Sequence, residues 1–292
     1  MSAPVAGAPL ALGIVSDEIA PDFRTAVRYG ISWGITRYEI RCLTSGRVPD
    51  VNLAEWEDTV AAVRENGLTV TALSPGIFKH PLDRADDLER EIRDVLPRTI
   101  DCAEQCGARL IIVFGVQKRN PAAAGDHLRV VEILRRAAET AARAGMKLAI
   151  ENEPGFHCDT GAATRRIIDD VGSPALGANW DPCNAFGTDE VPFPGGYEAL
   201  RPVILNVHAK DTARGSLIQC VPIGEGAIDW KGQIGALVAD GIVPHVTIET
   251  HCLPLIDQSG KNVRTLRSLI ESTINRPPWP PSSAGTSGSR NS

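Results

Sequence analysis

Four short apolar runs in this chain each end on a side chain that could bind a cation or move a proton. Residues 147–155 (K-L-A-I-E-N-E-P-G) deliver Glu151 and then break at Pro154-Gly155. L-G-A-N-W-D-P delivers Asp181, V-I-L-N-V-H-A-K-D delivers His208, and H-V-T-I-E-T-H delivers Glu249. Three carboxylates and an imidazole brought to one point make a hard, oxygen-rich site. It suits Mn²⁺ or Mg²⁺, with Co²⁺, Fe²⁺ and Zn²⁺ as further candidates. Without a cation the carboxylates would repel one another and take up protons. Read alone, any one of these residues is equally well explained as a solvated loop residue or an ion-pair partner. Four of them on four strand ends are not.

The elements that must position these residues follow a repeated grammar. An amphipathic run ends at Gly, the left-handed helix cap, and a β-branched apolar run follows at once. Strands are expected at 10–15, 35–40, 68–73, 110–114, 147–151, 175–181, 203–208 and 245–250. Helices are expected at 22–30, 52–67, 88–107, 122–144, from 160, in a short stretch before 203, at 229–241 and at 260–274, with 182–196 as a long loop. Asn52 and Glu55 read as a capping pair. The run 110–114 is apolar on both faces, which fits a parallel sheet covered on both sides. This alternation predicts an α/β protein built as a single (β/α)8 TIM barrel, residues 9–275, whose strand C-terminal ends collect at one mouth. An open doubly wound sheet is the alternative, but no G-x-G-x-x-G follows the first strand. Residues 1–8 are expected to be flexible. The tail 276–292, R-P-P-W-P-P-S-S-A-G-T-S-G-S-R-N-S, has too little apolar surface to order itself.

Composition narrows the function classes. The chain has 292 residues, 43% apolar and 23% charged, with a net charge of -6 and a pI near 5.6. That balance argues against a nucleic-acid partner, which needs a Lys/Arg surface. No stretch approaches the length of a membrane helix and no signal peptide opens the chain, so a cytoplasmic protein without a membrane partner is expected. The seven cysteines (42, 102, 106, 158, 183, 220 and 252) show no C-x-x-C spacing and read as reduced thiols. The partner expected is a small molecule, and a homo-oligomer is compatible with these numbers.

From about residue 10 to 274 the chain resembles the sugar phosphate isomerase/epimerase superfamily. These are xylose isomerase-like TIM barrels that include ketose 3-epimerases, hydroxypyruvate isomerase, inosose dehydratase and endonuclease IV. The resemblance is carried by I-E-N at Glu151, W-D-P-C-N-A at Asp181, V-H-A-K-D at His208, G-E-G-A-I-D-W at 224–230 and T-I-E-T at Glu249. It implies that Glu151, Asp181, His208 and Glu249 bind one divalent metal, and that Glu151 and Glu249 are also the catalytic acid/base pair. The reaction implied is isomerisation or epimerisation of a small ketose, polyol or keto-acid through an enediolate-type intermediate. Arg214 matches a substrate-gripping arginine of the ketose epimerases.

Two positions depart from that pattern. His157 stands where sugar epimerases carry a second glutamate, and Asn184 stands where they carry a histidine. Both would contact substrate. His157 could act as an acid or base near neutral pH, whereas Asn184 can hydrogen-bond but not titrate. Lys210 and Glu153 are expected at the mouth, with Lys210 touching a substrate carboxylate or enolate. Glu39 and Arg41 are expected to pair with each other, and His245 to be structural at the opposite rim. Two alternatives stay open: a metal-dependent lyase that dehydrates a cyclic keto-polyol such as an inosose, with His157 as its acid, and an endonuclease IV-like phosphodiesterase. The acidic balance and the six histidines weigh against the latter.

Overall fold

The computed structural model describes residues 10–119, 123–215 and 218–275. The segments expected to be flexible or disordered at the two ends lie outside these. Eight parallel strands form the centre: β1 Ala11–Val15, β2 Arg37–Ile40, β3 Thr69–Leu73, β4 Leu110–Phe114, β5 Lys147–Glu151, β6 Leu176–Trp180, β7 Ile204–Ala209 and β8 His245–Ile248. They close into a barrel in the order β1-β8-β7-β6-β5-β4-β3-β2. Around them run α1 Phe23–Ser32, α2 Leu53–Glu65 and α3, the last passing from Ala85–Arg90 through a π-helical turn at Glu91–Val95 into Leu96–Cys106. Then come α4 Asp126–Arg143, α5 Gly161–Val171, the short α6 Pro182–Phe186 and α7 Tyr197–Leu200, α8 Trp230–Asp240 and α9 Leu255–Ile274. The expected (β/α)8 barrel is the observed fold.

Strand alternation fixes what faces the barrel axis, because successive side chains point to opposite faces. Leu148 and Ile150 face outward into the helical layer, while Ala149 and Glu151 face inward. Ala72, Ile112 and Ala149 form a small apolar cluster of their own, separate from the large core between sheet and helices. Above it lies a polar layer: Asn206 Nδ2 donates to Asn179 Oδ1 at 3.0 Å, and Thr247 Oγ1 reaches Asn206 Oδ1 at 3.3 Å. The next inward residues along the same strands are Asp181, His208 and Glu249. Because the strands of a barrel tilt, register neighbours fall in successive layers: Glu151 lies beside Asn179 and His208 beside Thr247.

Two local expectations need correction. The stretch 182–196 is not a plain loop, because Asp181 caps α6 and Pro182 occupies its first turn, where its missing N–H costs nothing. The Asn52/Glu55 pair does not form a reciprocal cap. Asn52 accepts from Ala54 N, but Glu55 turns away to accept from the backbone N–H groups of Thr44 and Ser45, both at 2.9 Å. Those residues are the tip of a small hairpin, Cys42–Leu43 against Gly46–Arg47, that follows β2.

His245 opens β8 at the far end of the barrel from the Glu249 mouth. It is buried, and its Nε2 has no partner among the described residues. Burial, helped by the positive charge of Arg37, depresses its pKa to about 4. The unfolded chain therefore binds the extra proton between about pH 6.5 and 4, so stability present above pH 6.5 is lost as pH falls through this window. We expect urea unfolding at pH 7 and pH 4 to show an acid loss in the wild type that is larger than in His245→Leu by on the order of 3 kcal/mol. An equal loss in both proteins would remove His245 as its source.

Candidate metal centre

The structure brings Glu151, Asp181, His208 and Glu249 together. Each offers a ligand atom within 4.8 Å of the others, and all four side chains are buried. Backbone capping determines which oxygen of Asp181 is free. Its Oδ1 accepts from Cys183 N at 2.9 Å and Asn184 N at 3.0 Å as the N-cap of α6, and its Oδ2 points to the cluster. Its peptide is gripped from behind by Asn152, whose Nδ2 donates to Asp181 O and whose Oδ1 accepts from Asp181 N, both at 2.8 Å. The I-E-N and W-D-P runs are thus one unit, with Asn152 locking the two strand ends at a fixed spacing.

Glu39 orients His208. Its Oε2 lies 2.9 Å from Nε2, which leaves Nδ1 facing Glu151 Oε2 at 3.4 Å and Glu249 Oε2 at 3.6 Å. A carboxylate that holds the far nitrogen of an imidazole fixes the tautomer that presents the other to a metal. The expected Glu39–Arg41 pair is not formed. Arg41 instead reaches Asp17 Oδ2 at 2.9 Å, Glu18 Oε1 at 2.6 Å and Glu249 Oε1 at 2.7 Å. Both residues face inward but at successive heights, so each serves a different part of the mouth.

Two buried atoms, Asp181 Oδ2 and His208 Nδ1, have no hydrogen-bond partner among the described residues. Lys210 Nζ sits 2.8 Å from both Asp181 Oδ2 and Glu249 Oε2. Only the Glu249 contact has hydrogen-bond alignment; toward Asp181 the ammonium acts as a nearby charge. The donor set therefore fits a hard divalent cation: the unpartnered oxygen of Asp181, the carboxylates of Glu151 and Glu249, and the unpartnered nitrogen of an imidazole held in the right tautomer. A second group, Glu18, Glu249 and His251, is also close enough for an ion. Arg41 already occupies one oxygen each of Glu18 and Glu249, so the four-residue group is the stronger site.

Electrostatics reflect this crowding. Burial opposes charging of His208, yet the carboxylates of Glu39, Glu151 and Glu249 outweigh it and raise its pKa well above the ordinary value. Burial likewise opposes ionisation of Glu249, but Lys210, His208 and His251 hold it well below the carboxylate range. Asp181 is shifted up, by burial first and by repulsion from Glu249 and Glu151, against the pull of Lys210.

A cavity of about 460 Å³ opens above the cluster, and Glu151, Glu249, Asn184, Lys210, Glu153 and His251 line its inner part. Asn184 Nδ2 donates to Glu151 Oε1 at 3.1 Å and to Asn152 O at 2.9 Å. Two other sequence candidates lie elsewhere. Arg214 is exposed and does not line the cavity. His157 is also absent from its wall; beyond burial, the charges that act on it are Asp126, Lys118, His127 and Asp159. Sequence reasoning missed Arg47, Ser74, Lys79 and Phe114, which also line the cavity. His251 lines the cavity too, with a backbone φ of 49° and its N–H bonded to Glu18 Oε2 at 2.7 Å. Strain of that kind gathers at functional sites.

The loop over the mouth is tied down by the aspartate of V-H-A-K-D. Asp211 accepts from the backbone N–H groups of Gly224, Gly226 and Ile228 at 2.9, 3.2 and 3.1 Å. A Cβ on Gly226 would lie 2.1 Å from Asp211 Oδ1, so only glycine lets the loop close on it. This contact explains why G-E-G-A-I-D-W accompanies the K-D pair.

The family model described as xylose isomerase-like TIM barrel matches residues 27–270. The chain belongs to that family. Among solved structures it is similar to an L-ribulose 3-epimerase (19% identity, TM-score 0.74, covering 91% of this chain and 96% of that one). It is also similar to the probable 3-DHS dehydratase AsbF of Bacillus anthracis (19%, TM-score 0.73, 89% and 98%). A third is a xylose isomerase-like TIM barrel protein from Mycobacterium smegmatis in complex with magnesium (17%, TM-score 0.70, 94% and 100%). At such identities these likenesses speak to the fold. No curated protein matches the chain. Among the described residues no helix is long and apolar enough to cross a membrane.

If Glu39 sets the His208 tautomer, Glu39→Gln should weaken divalent-metal binding by about 10- to 100-fold while the barrel stays folded. Competition with a chromophoric chelator measures this. Unchanged affinity would mean that His208 is held by its packing alone.

Proposed function

We propose that this barrel is a divalent-metal-dependent isomerase or epimerase of a small ketose, polyol or keto-acid. The observation that carries the reading is the buried convergence of Glu151, Asp181, His208 and Glu249 on one point beneath the cavity. Those four residues would hold one ion, Mn²⁺ or Mg²⁺ by the hardness of the donors, with Co²⁺, Fe²⁺ or Zn²⁺ as alternatives. When bound, the ion supplies Lewis acidity toward a substrate carbonyl and the neighbouring hydroxyl.

The chain's own residues then divide the proton transfer. Apart from His208 Nδ1, which it shares with Glu249, Glu151 is held by neutral amides: Asn184 Nδ2 on Oε1 at 3.1 Å and Asn179 Nδ2 on Oε2 at 3.3 Å. Glu249 is held by cations, Arg41 on Oε1 at 2.7 Å and Lys210 on Oε2 at 2.8 Å. Charge-assisted bonds stabilise a carboxylate about twice as strongly as neutral ones. Glu151 is accordingly the better proton acceptor, and Glu249, once protonated, the readier donor. Lys210 beside them is placed to steady negative charge that develops on substrate oxygen.

A lyase reading keeps the same base and needs an acid near a leaving hydroxyl. His157 does not line the cavity, but His251 does, and this favours His251 in that role.

Solvent exchange tests the proposal. In heavy water the wild type should place deuterium on the carbon beside the substrate carbonyl, with loss of water marking a lyase. Glu151→Gln and Glu249→Gln should each suppress exchange by roughly 10²–10⁴-fold, more than any accompanying loss of metal explains. Turnover without deuterium would retain the metal site and reject the glutamate roles. His208→Ala should lose most of the metal and the activity, and stoichiometric metal retention would place the site elsewhere. Abasic-site duplex DNA should remain intact with Mn²⁺ or Zn²⁺.

A further inference from the structure

We propose that Arg47 is a carboxylate-binding residue, so that the substrate of this site is a small hydroxyketone carrying a carboxylate. The inference rests on the proposed function and narrows its substrate class.

The cavity contains several cations, and all but one are neutralised. Arg41 is shared among Asp17, Glu18 and Glu249. Lys210 lies between Asp181 and Glu249. Lys79 pairs with Glu153 at 3.0 Å and rests on the Phe114 ring, 3.8 Å from its centroid. Arg47 has no carboxylate within ion-pair distance among the described residues. It is nevertheless held firmly: Nε donates to Ser74 O at 2.9 Å and Nη2 to Ser74 Oγ at 3.3 Å. A Cβ on Gly76, whose φ is +76°, would lie 2.8 Å from Cζ. That glycine therefore lets the guanidinium lie against the chain leaving β3.

The support extends further back. Arg47 sits in the hairpin whose tip is pinned by Glu55 through Thr44 N and Ser45 N. A guanidinium has five N–H groups, and two are spent on Ser74. The Nη1–Nη2 edge is left for a partner, in the fork geometry that matches a carboxylate bidentately. A dianionic phosphate would call on a second free cation, and the other cavity cations already have acidic partners. The inner end of the same cavity carries Glu151 and Glu249, so a molecule spanning it would present its carbonyl end to the four-residue cluster and its carboxylate to Arg47.

Ligands with and without an anionic group test this on the Mn²⁺-loaded protein by calorimetry. One pair is 5-keto-D-gluconate and L-sorbose, where a carboxylate replaces a CH2OH. A second, cyclic comparison sets 3-dehydroshikimate against an inosose, and D-fructose 6-phosphate serves as the phosphate arm. The wild type should bind the carboxylated member at least tenfold more tightly in one comparison or both. Arg47→Met should erase that preference, while Mn²⁺ affinity and the thermal unfolding midpoint stay those of the wild type, which shows that the fold is kept. Arg47→Lys, which keeps the charge and loses the fork, should fall between.

No carboxylate preference in either comparison, a preference surviving in Arg47→Met, or tighter binding of the phosphate would overturn the proposal. Heavy-water exchange is scored separately. A carboxylate preference without exchange on any ligand would reject the glutamate chemistry and keep the Arg47 site, and exchange on uncharged ketoses alone would do the reverse.

Discussion

Buried negative charge is the constraint that organises this molecule. Glu39, Glu151, Asp181 and Glu249 are all withdrawn from water inside one barrel mouth. Two like charges about 4 Å apart repel by about 4 kcal/mol at an effective dielectric of 20. Such a group persists only if cations are built in with it, and the surrounding contacts supply them. Lys210 bridges two carboxylates, His208 stands against three, and Arg41 joins Glu249 to Asp17 and Glu18. Even so, Asp181 Oδ2 and His208 Nδ1 keep no hydrogen-bond partner among the described residues. A divalent cation is the most economical way to satisfy both atoms at once, because it binds the oxygen and replaces a proton on the nitrogen.

Strand period supplies the means of building this. Glu39 and Arg41, Asn179 and Asp181, Asn206, His208 and Lys210, and Thr247 and Glu249 are all i, i+2 neighbours, so the members of each set share one face of the sheet, here the inner one. The apolar floor, the amide layer and the charged layer are therefore consecutive steps along the same strands. Asn206 shows how they couple, since it bonds Asn179 beside it and Glu39 Oε2 at 3.3 Å, and Glu39 in turn orients His208. The amide layer separates the buried charges from the hydrocarbon below and fixes their rotamers from beneath.

Much of this was legible in the sequence. Gly-terminated helices and strands of the right length identified the barrel, and the four strand-end residues identified the cluster, because both depend on local pattern. What escaped was set by partners distant in the chain. Glu39 and Arg41 are adjacent inward positions on one strand and looked like a pair, but their partners come from β7, the β8 exit and the loop after β1. His157 and Arg214 were inferred from alignment to a pattern, and the loops that carry them place them away from the cavity wall. Arg47 had no local signature at all. Its significance comes from Ser74 and Gly76 on the neighbouring strand exit and from the lack of an acid near it. Residue type and spacing could not show that absence.

The two glutamates illustrate how environment, rather than residue type, would divide chemical roles. Both end a barrel strand, both are buried, and both face the same imidazole nitrogen at 3.4 and 3.6 Å. Glu151 meets the side-chain amides of Asn179 and Asn184, which hydrogen-bond without adding charge. Glu249 meets Arg41 and Lys210, which do add charge, and Arg41 is itself shared with two further carboxylates. Beyond the imidazole that both share, a proton arriving at Glu249 must therefore displace two charge-assisted bonds, whereas one arriving at Glu151 weakens bonds to neutral amides. Asn184, at the position where related epimerases are expected to carry a histidine, contributes to this difference directly. It gives Glu151 a neutral partner on that side, and although burial pushes this carboxyl up, His208 and Lys210 hold it below its ordinary value.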